Sequence, residues 1–136
     1  MHVKNKFYGF PNIFNQEIFA WLRYAQTMAI WYPFEKGATL GQKGSEEGII
    51  LRDEEHPQEA RITLERDTRA APFAITCGIY GCMMHTRFFS LESEATSEYD
   101  AMKIAMNALL LTENEGGPEG CSSFLEGVDK FVQSYP

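Results

Sequence analysis

Between Gly48 and Leu91 four short apolar stretches follow one another, separated only by EEHPQE, RAAP and GIYG. Links that short exclude parallel pairing, because a parallel crossover takes about a dozen residues or more. The segment must fold as an antiparallel meander. Its expected strands are Gly48–Glu54 (GIILRDE), Ala60–Thr68 (ARITLERDT), Phe73–Cys77 and Cys82–Leu91. The second alternates, with Ile62 and Leu64 on one side and Arg61, Thr63 and Glu65 on the other. That is the period-two pattern of a strand with one wet face.

Helical patterns flank the meander. Asn12 to Tyr32 predicts a first helix, with Pro11 before it and Asn12 or Asn15 available to accept bonds from its first turn. Ile18, Leu22, Ala25 and Ala29 recur at helical spacing, and Trp21, Met28 and Trp31 widen the apolar surface well beyond one stripe. Such a helix either lies deep in its own core or also meets a second chain, and Trp21 and Trp31 are the candidate partner-binding residues. Pro33 restricts Tyr32 and ends the helix. After the meander, a helix is expected from Ser97 to Thr112, opened by Ser97 and Asp100 and packed through Tyr99, Met102, Met106 and Leu109. ENEGGPEG breaks it, and a last helix, capped by Ser123 with Glu126, buries Phe124, Val128, Phe131 and Tyr135. The order of elements gives an α+β fold in one domain spanning residues 1–136: an N-terminal helix, a four-stranded antiparallel meander, and two C-terminal helices on one sheet face.

The connection Glu35–Gly48 (EKGATLGQKGSEEG) superficially suggests a phosphate loop. Lys43 is followed by Gly44 and a helix precedes the loop, so spacing and context both fail. A mobile lid or binding loop is the functional reading that remains.

Composition removes other classes. Lys and Arg number 12 against 19 Asp and Glu, a net charge of −7, whereas nucleic-acid binding wants a cationic surplus. An acidic surface favours solubility or a basic partner. Three cysteines fall below disulfide-framework density, which argues for a reducing compartment. MHVKNKFYGFPN has no apolar run of the signal-peptide kind, and no segment approaches ~20 uninterrupted apolar residues. The expectation is a cytoplasmic protein with no membrane contact and no cofactor.

The stretch FAITCGIYGCMMHTRFF, Phe73 to Phe89, holds the residues with chemistry. With GIYG as the hairpin loop, Cys77 pairs with Cys82 and Thr76 with Met83. Cys77 and Cys82 then share one face, and His85 and Arg87 share the other with Thr76. Zinc needs about four converging ligands, so that division argues against a metal and against a Cys–His nucleophile. His85 and Arg87, with Thr76 and the loop-tip Tyr80, are the candidate ligand-binding residues for a small anion. The competing reading is a solvated outer face with Arg87 paired to a carboxylate such as Glu65. The run Asp53-Glu54-Glu55-His56 lacks calcium-loop spacing and reads as a solvated turn whose acids, Asp53, Glu54 and Glu55, could attract a basic partner. There is no GxSxG elbow.

These features favour a non-catalytic binding or regulatory protein that works through protein contact, self-association to a homodimer included. An inhibitor that neutralises a basic partner, as bacterial immunity proteins do, is one form, by analogy of size and charge. The rival is a pocket for a small anionic ligand, possessing catalysis or not, between sheet and helices or under the glycine connection. A thiol or metal function of Cys77 and Cys82, with Cys121, is the third.

Overall fold

A computed structural model describes residues 12–115 and 120–136, with side chains over 16–112 and 124–136. Helix α1 (Asn12–Ile30) leads into β1 (Tyr32–Pro33), and the sheet continues through β2 (Ile49–His56), β3 (Ala60–Arg66), β4 (Phe73–Ile79) and β5 (Met83–Phe89). Helices α2 (Glu92–Glu115) and α3 (Gly120–Ser134) close the chain. The sheet runs β1-β2-β3-β4-β5 with every pair antiparallel. The fold is therefore the expected α+β meander with one extra strand. Pro33 explains the extra strand. It pushes Tyr32 into extended conformation, and the dipeptide pairs Tyr32 with Glu55 and Pro33 with Glu54. A proline is tolerated there because it sits on the sheet edge.

Both C-terminal helices cover one sheet face. Tyr99, Met102, Met106, Leu109 and Leu110 from α2, and Phe124, Val128 and Phe131 from α3, are buried against Ile62, Leu64, Ile75, Cys77, Ile79 and Phe89. Each large side chain of this kind contributes roughly 1.5–3 kcal/mol. Helix α2 starts at Glu92 rather than Ser97, with Glu92 and Glu94 in its first turn, where carboxylates interact well with the helix dipole. The caps expected of Asn12, Asn15 and Ser123, the GGP break and the Cys121 side chain lie outside what the structure describes.

One charged cluster crosses this core. Lys103 Nζ, almost fully buried, lies 2.9 Å from Glu54 Oε1. Arg52 bridges Glu54 and Asp100 and stacks over the Tyr99 ring, 4.0 Å from its centroid. Tyr99 in turn donates its hydroxyl to the Ile62 carbonyl at 3.1 Å. Burial pushes the Glu54 carboxyl up, but bonding and charge from Lys103, with help from Tyr99 and Arg52, hold it below its ordinary value. Glu54 is thus tied into the fold and not part of a solvated acidic turn: β2 continues to His56.

The hairpin register differs from the expected one. Strands β4 and β5 extend to Ile79 and Met83, which pair with each other, and the connection is Tyr80-Gly81-Cys82 with Gly81 at φ 76°. Three-residue hairpins commonly place such a left-handed residue in the loop. Ile79 stays in the strand because its side chain is buried in the core. Cys77 now pairs with His85, Thr76 with Thr86 and Ile75 with Arg87. An odd register shift sends every β5 side chain to the other face. His85 and Arg87 therefore sit on the helix-covered side with Cys77, not beside Thr76.

Among its described side chains, helix α1 packs through its C-terminal end. Thr27 and Trp31 are buried, while residues 16–24 are exposed. Trp31, expected as a partner contact, is instead core: it meets His56 edge-on, with ring centroids 5.1 Å apart. Trp21 remains 65% exposed.

His56 supplies a pH prediction. Its Nδ1 accepts the Gln58 N–H at 3.1 Å and its Nε2 lies 3.0 Å from Asn107 Oδ1, so a neutral ring protonated on Nε2 satisfies both. Burial pushes its pKa below the ordinary value, partly opposed by Asn107. The unfolded chain therefore takes up this proton first. The contribution is complete above about pH 6.5 and is lost as pH falls from there through the lowered folded value. Urea midpoints should decline on acidification from about pH 7 to about pH 5.5, and His56→Gln should flatten that decline. An unchanged slope in the variant would assign the effect elsewhere.

Candidate functional site

The face of the sheet opposite the helices is not left bare. Residues on alternate positions form a polar row across four strands: Asp53 pairs with Thr63, Thr63 with Thr76, and Thr76 with Thr86. Asp53 is buried and accepts four hydrogen bonds. Arg61 reaches it through Nε at 2.8 Å and Nη2 at 2.6 Å, Thr39 Oγ1 at 2.7 Å and Thr63 Oγ1 at 3.2 Å. Four donors match the full lone-pair capacity of a carboxylate. The bonds to Asp53 also raise the pKa of Arg61 above its ordinary value, against burial. Phe34 stacks on the other side of that guanidinium, its ring centroid 3.6 Å from Cζ.

Glu65 makes a second anchor on the same face. It is fully buried, and its carboxylate accepts the backbone N–H groups of Gly48 at 3.0 Å and of Glu46 at 3.2 Å. Thr39, Glu46 and Gly48 all belong to the glycine-rich connection. Two buried carboxylates thus fasten that segment to the sheet, together with backbone bonds from Gly41 N to Ile50 O and from Ile50 N to Gln42 O. The connection is a fixed wall and not a mobile lid. Gly44 and Gly48 are required by this closeness. A Cβ on Gly44 would lie 2.3 Å from Glu65 Cδ, and one on Gly48 would lie 2.5 Å from the Arg66 carbonyl oxygen.

Between this wall and the β4–β5 hairpin lies a cavity of about 630 Å³. Thr39, Gln42, Lys43, Gly44 and Ser45 line it from the connection, Ile50, Arg61, Thr63, Thr76 and Gly78 from the sheet, and Tyr80, Gly81, Cys82, Met83 and Met84 from the hairpin. The size falls within the ~300–1,000 Å³ of small-molecule sites.

Of the four residues expected to bind a ligand, Thr76 and Tyr80 line the cavity and His85 and Arg87 do not. His85 Nε2 contacts the Tyr135 carbonyl oxygen. Arg87 donates from Nε to the Pro136 carbonyl oxygen at 3.0 Å and pairs with Glu98 at 2.7 Å, so its carboxylate partner is Glu98 and not Glu65. Both residues clasp the C-terminal segment against the sheet. The expected acidic patch is also divided. Asp53 is consumed by the network and Glu54 by Lys103, while Glu55 pairs in register with Tyr32 and Arg61. Sequence reasoning missed Arg61 and Lys43 as cavity residues. For Arg61 a signal existed, since it alternates with Thr63 on the wet side of ARITLE; for Lys43 only its place in the glycine connection pointed there.

The thiols offer little chemistry. The corrected register puts Cys77 opposite His85, so the earlier argument from opposite faces no longer separates them. Burial decides instead: it pushes the Cys77 thiol up to about 12, with Arg87 opposing only in part. Only the thiolate is a competent nucleophile or metal ligand. Cys82 sits in the turn rather than opposite Cys77. Among the described residues no three His, Cys, Asp or Glu side chains converge as a metal site requires. No helix among them is long and apolar enough to cross a membrane.

Comparison with protein-family models, with curated proteins and with solved structures found no match to this chain.

The anchoring by Asp53 and Glu65 is measurable. Asp53→Ala removes the shared acceptor of Arg61, Thr39 and Thr63 and should lower unfolding free energy by about 3 kcal/mol, the low end for a broken buried pair because Arg61 is partly in water. Gly48→Ala meets backbone that cannot retreat and should cost about 1–3 kcal/mol. Urea unfolding with an unchanged m-value measures both. A change under ~0.5 kcal/mol in either variant would mean the connection is not held in this way.

Proposed function

We propose that the protein is a non-catalytic binding or regulatory protein that acts through protein contact, with α1 as its docking element and a second copy of the chain as one partner. A single observation carries the reading. Ile18, Phe19, Trp21, Leu22, Tyr24 and Ile30 project from α1 with 37–65% of their surface exposed. Together they leave on the order of 500 Å² of apolar side chain in water. That is near the upper limit for a monomer, and most of the ~800 Å² that each partner contributes to a stable interface.

The side chains are spread around the helix and not confined to one stripe. Helices that are apolar all round are normally covered on several sides. Within Asn12–Ile30 the only charged residues are Glu17 and Arg23, so this surface is nearly neutral although the chain carries a net −7. Apolar burial, more than attraction to a basic partner, is therefore the favoured mode of contact. With Asp53 and Glu54 held inside the fold, the electrostatic version loses the acidic patch on which it rested.

Sedimentation velocity tests the proposal. The parent chain should self-associate at concentrations up to about 100 μM, and Phe19→Ser with Trp21→Ser should sediment as a monomer. The double variant should melt with the parent once monomeric, because both side chains are mostly exposed. A parent that stays monomeric over the same range, or a double variant that associates as the parent does, would overturn the reading.

A further inference from the structure

We infer that the cavity between the glycine connection and the β4–β5 hairpin is a binding site for a small organic monocarboxylate with an apolar body. The site is distinct from α1. Helix α1 packs on α2, in the helical layer, whereas the cavity lies on the opposite face of the sheet.

Charge points to an anion. No Asp or Glu is among the residues lining the cavity, although the chain has 19 of them, while Lys43 and Arg61 both line it. A cationic pocket in an acidic protein is a local departure that a negative ligand would exploit. The same groups set the ligand's valence. Arg61 is already neutralised by Asp53, to which it gives Nε and Nη2. Lys43 is exposed at the rim and contributes the remaining positive charge. One net positive charge matches a carboxylate better than a doubly charged phosphate.

The rest of the lining describes the ligand's body. Met84 and Tyr80 form the hairpin wall, while Met83 pairs with Ile79 and packs against the core on the other face; Met84 is 83% exposed, the most exposed large apolar residue described. Methionine adapts its shape to apolar ligands at low cost. The hydroxyls of Thr63 and Thr76 line the floor, where they can bond a polar group near the head. An apolar chain would lie on Met84 and Tyr80, with its carboxylate toward Lys43 and Arg61.

Five of the six methionines are convenient reporters: Met84 lines the cavity, Met83 packs against the core beside Ile79, Met28 lies on α1, and Met102 and Met106 are buried in the core. The full chain, labelled with ¹³C at the methionine methyls, would be titrated with octanoate and separately with 1-octanol. Octanoate should shift and saturate Met84 while leaving Met102 and Met106 in place, and 1-octanol should bind about tenfold more weakly. Lys43→Glu should weaken octanoate by about tenfold and leave 1-octanol unchanged. Unmoved Met102 and Met106 signals in that variant confirm an intact core. The inference fails if octanoate leaves Met84 unmoved, or if it moves Met28 first, which places the ligand on α1. It also fails if 1-octanol binds equally well or Lys43→Glu has no effect.

Discussion

Asp53 organises one whole side of this molecule. A buried carboxylate is tolerated only when its lone pairs are filled, because an unpaired charge away from water costs several kcal/mol. Arg61 and Thr63 come from the neighbouring strand, but Thr39 comes from the connection on the far side of β1. Satisfying Asp53 therefore requires residues 34–48 to fold back over the sheet. Glu65 repeats the arrangement with backbone donors from Glu46 and Gly48. The two acids act at separate points along one segment, so that segment is fixed in both position and orientation. Without them, a stretch with glycines at 37, 41, 44 and 48 would have little reason to hold a single shape.

The two sheet faces solve different problems. On the helical side the core is apolar, and its few charges are paired: Lys103 with Glu54, Arg52 with Glu54 and Asp100, Arg87 with Glu98. These pairs, with Lys103 almost fully buried, tie α2 to β2 and β5. On the other side no α-helix among the described residues covers the sheet, and a polar row of one aspartate and three threonines takes the place of a core. That row gives the connection something to bond, and it leaves hydroxyls facing a cavity instead of a packed interior. The asymmetry follows from the strand order, since a meander returns all its later helices to one side while the early connection remains for the other.

Much of this was legible in the sequence. Short links dictated the antiparallel meander, and the helical spacing of Tyr99, Met102, Met106 and Leu109 identified the buried face of α2, because both depend on local pattern. The hairpin register was not legible. GIYG contains two glycines, and either could have turned the chain; what selected Gly81 was the burial of Ile79 in a core built by distant helices. That one choice moved His85 and Arg87 from the ligand side to the helical side. Asp53 was misjudged for the same kind of reason. In DEEH it looks like any surface acid, and its partners Thr39, Arg61 and Thr63 are revealed only by the fold. The glycine connection carried a usable hint in its spacing, but the carboxylate that its glycines accommodate lies across the sheet.

Helix α1 stands apart from both faces. The core cluster takes Trp31, just beyond the helix, and includes none of the described side chains of α1. Ile18, Phe19, Trp21, Leu22 and Tyr24 lie outside that cluster and keep about 40% or more of their surface exposed. Natural surfaces rarely keep two aromatic side chains more than 60% exposed within one turn of a helix, as Phe19 and Trp21 are. Exposure on this scale is the ground for the contact proposed above: it makes α1, more than any charged group, the element on which a partner would gain most by burial.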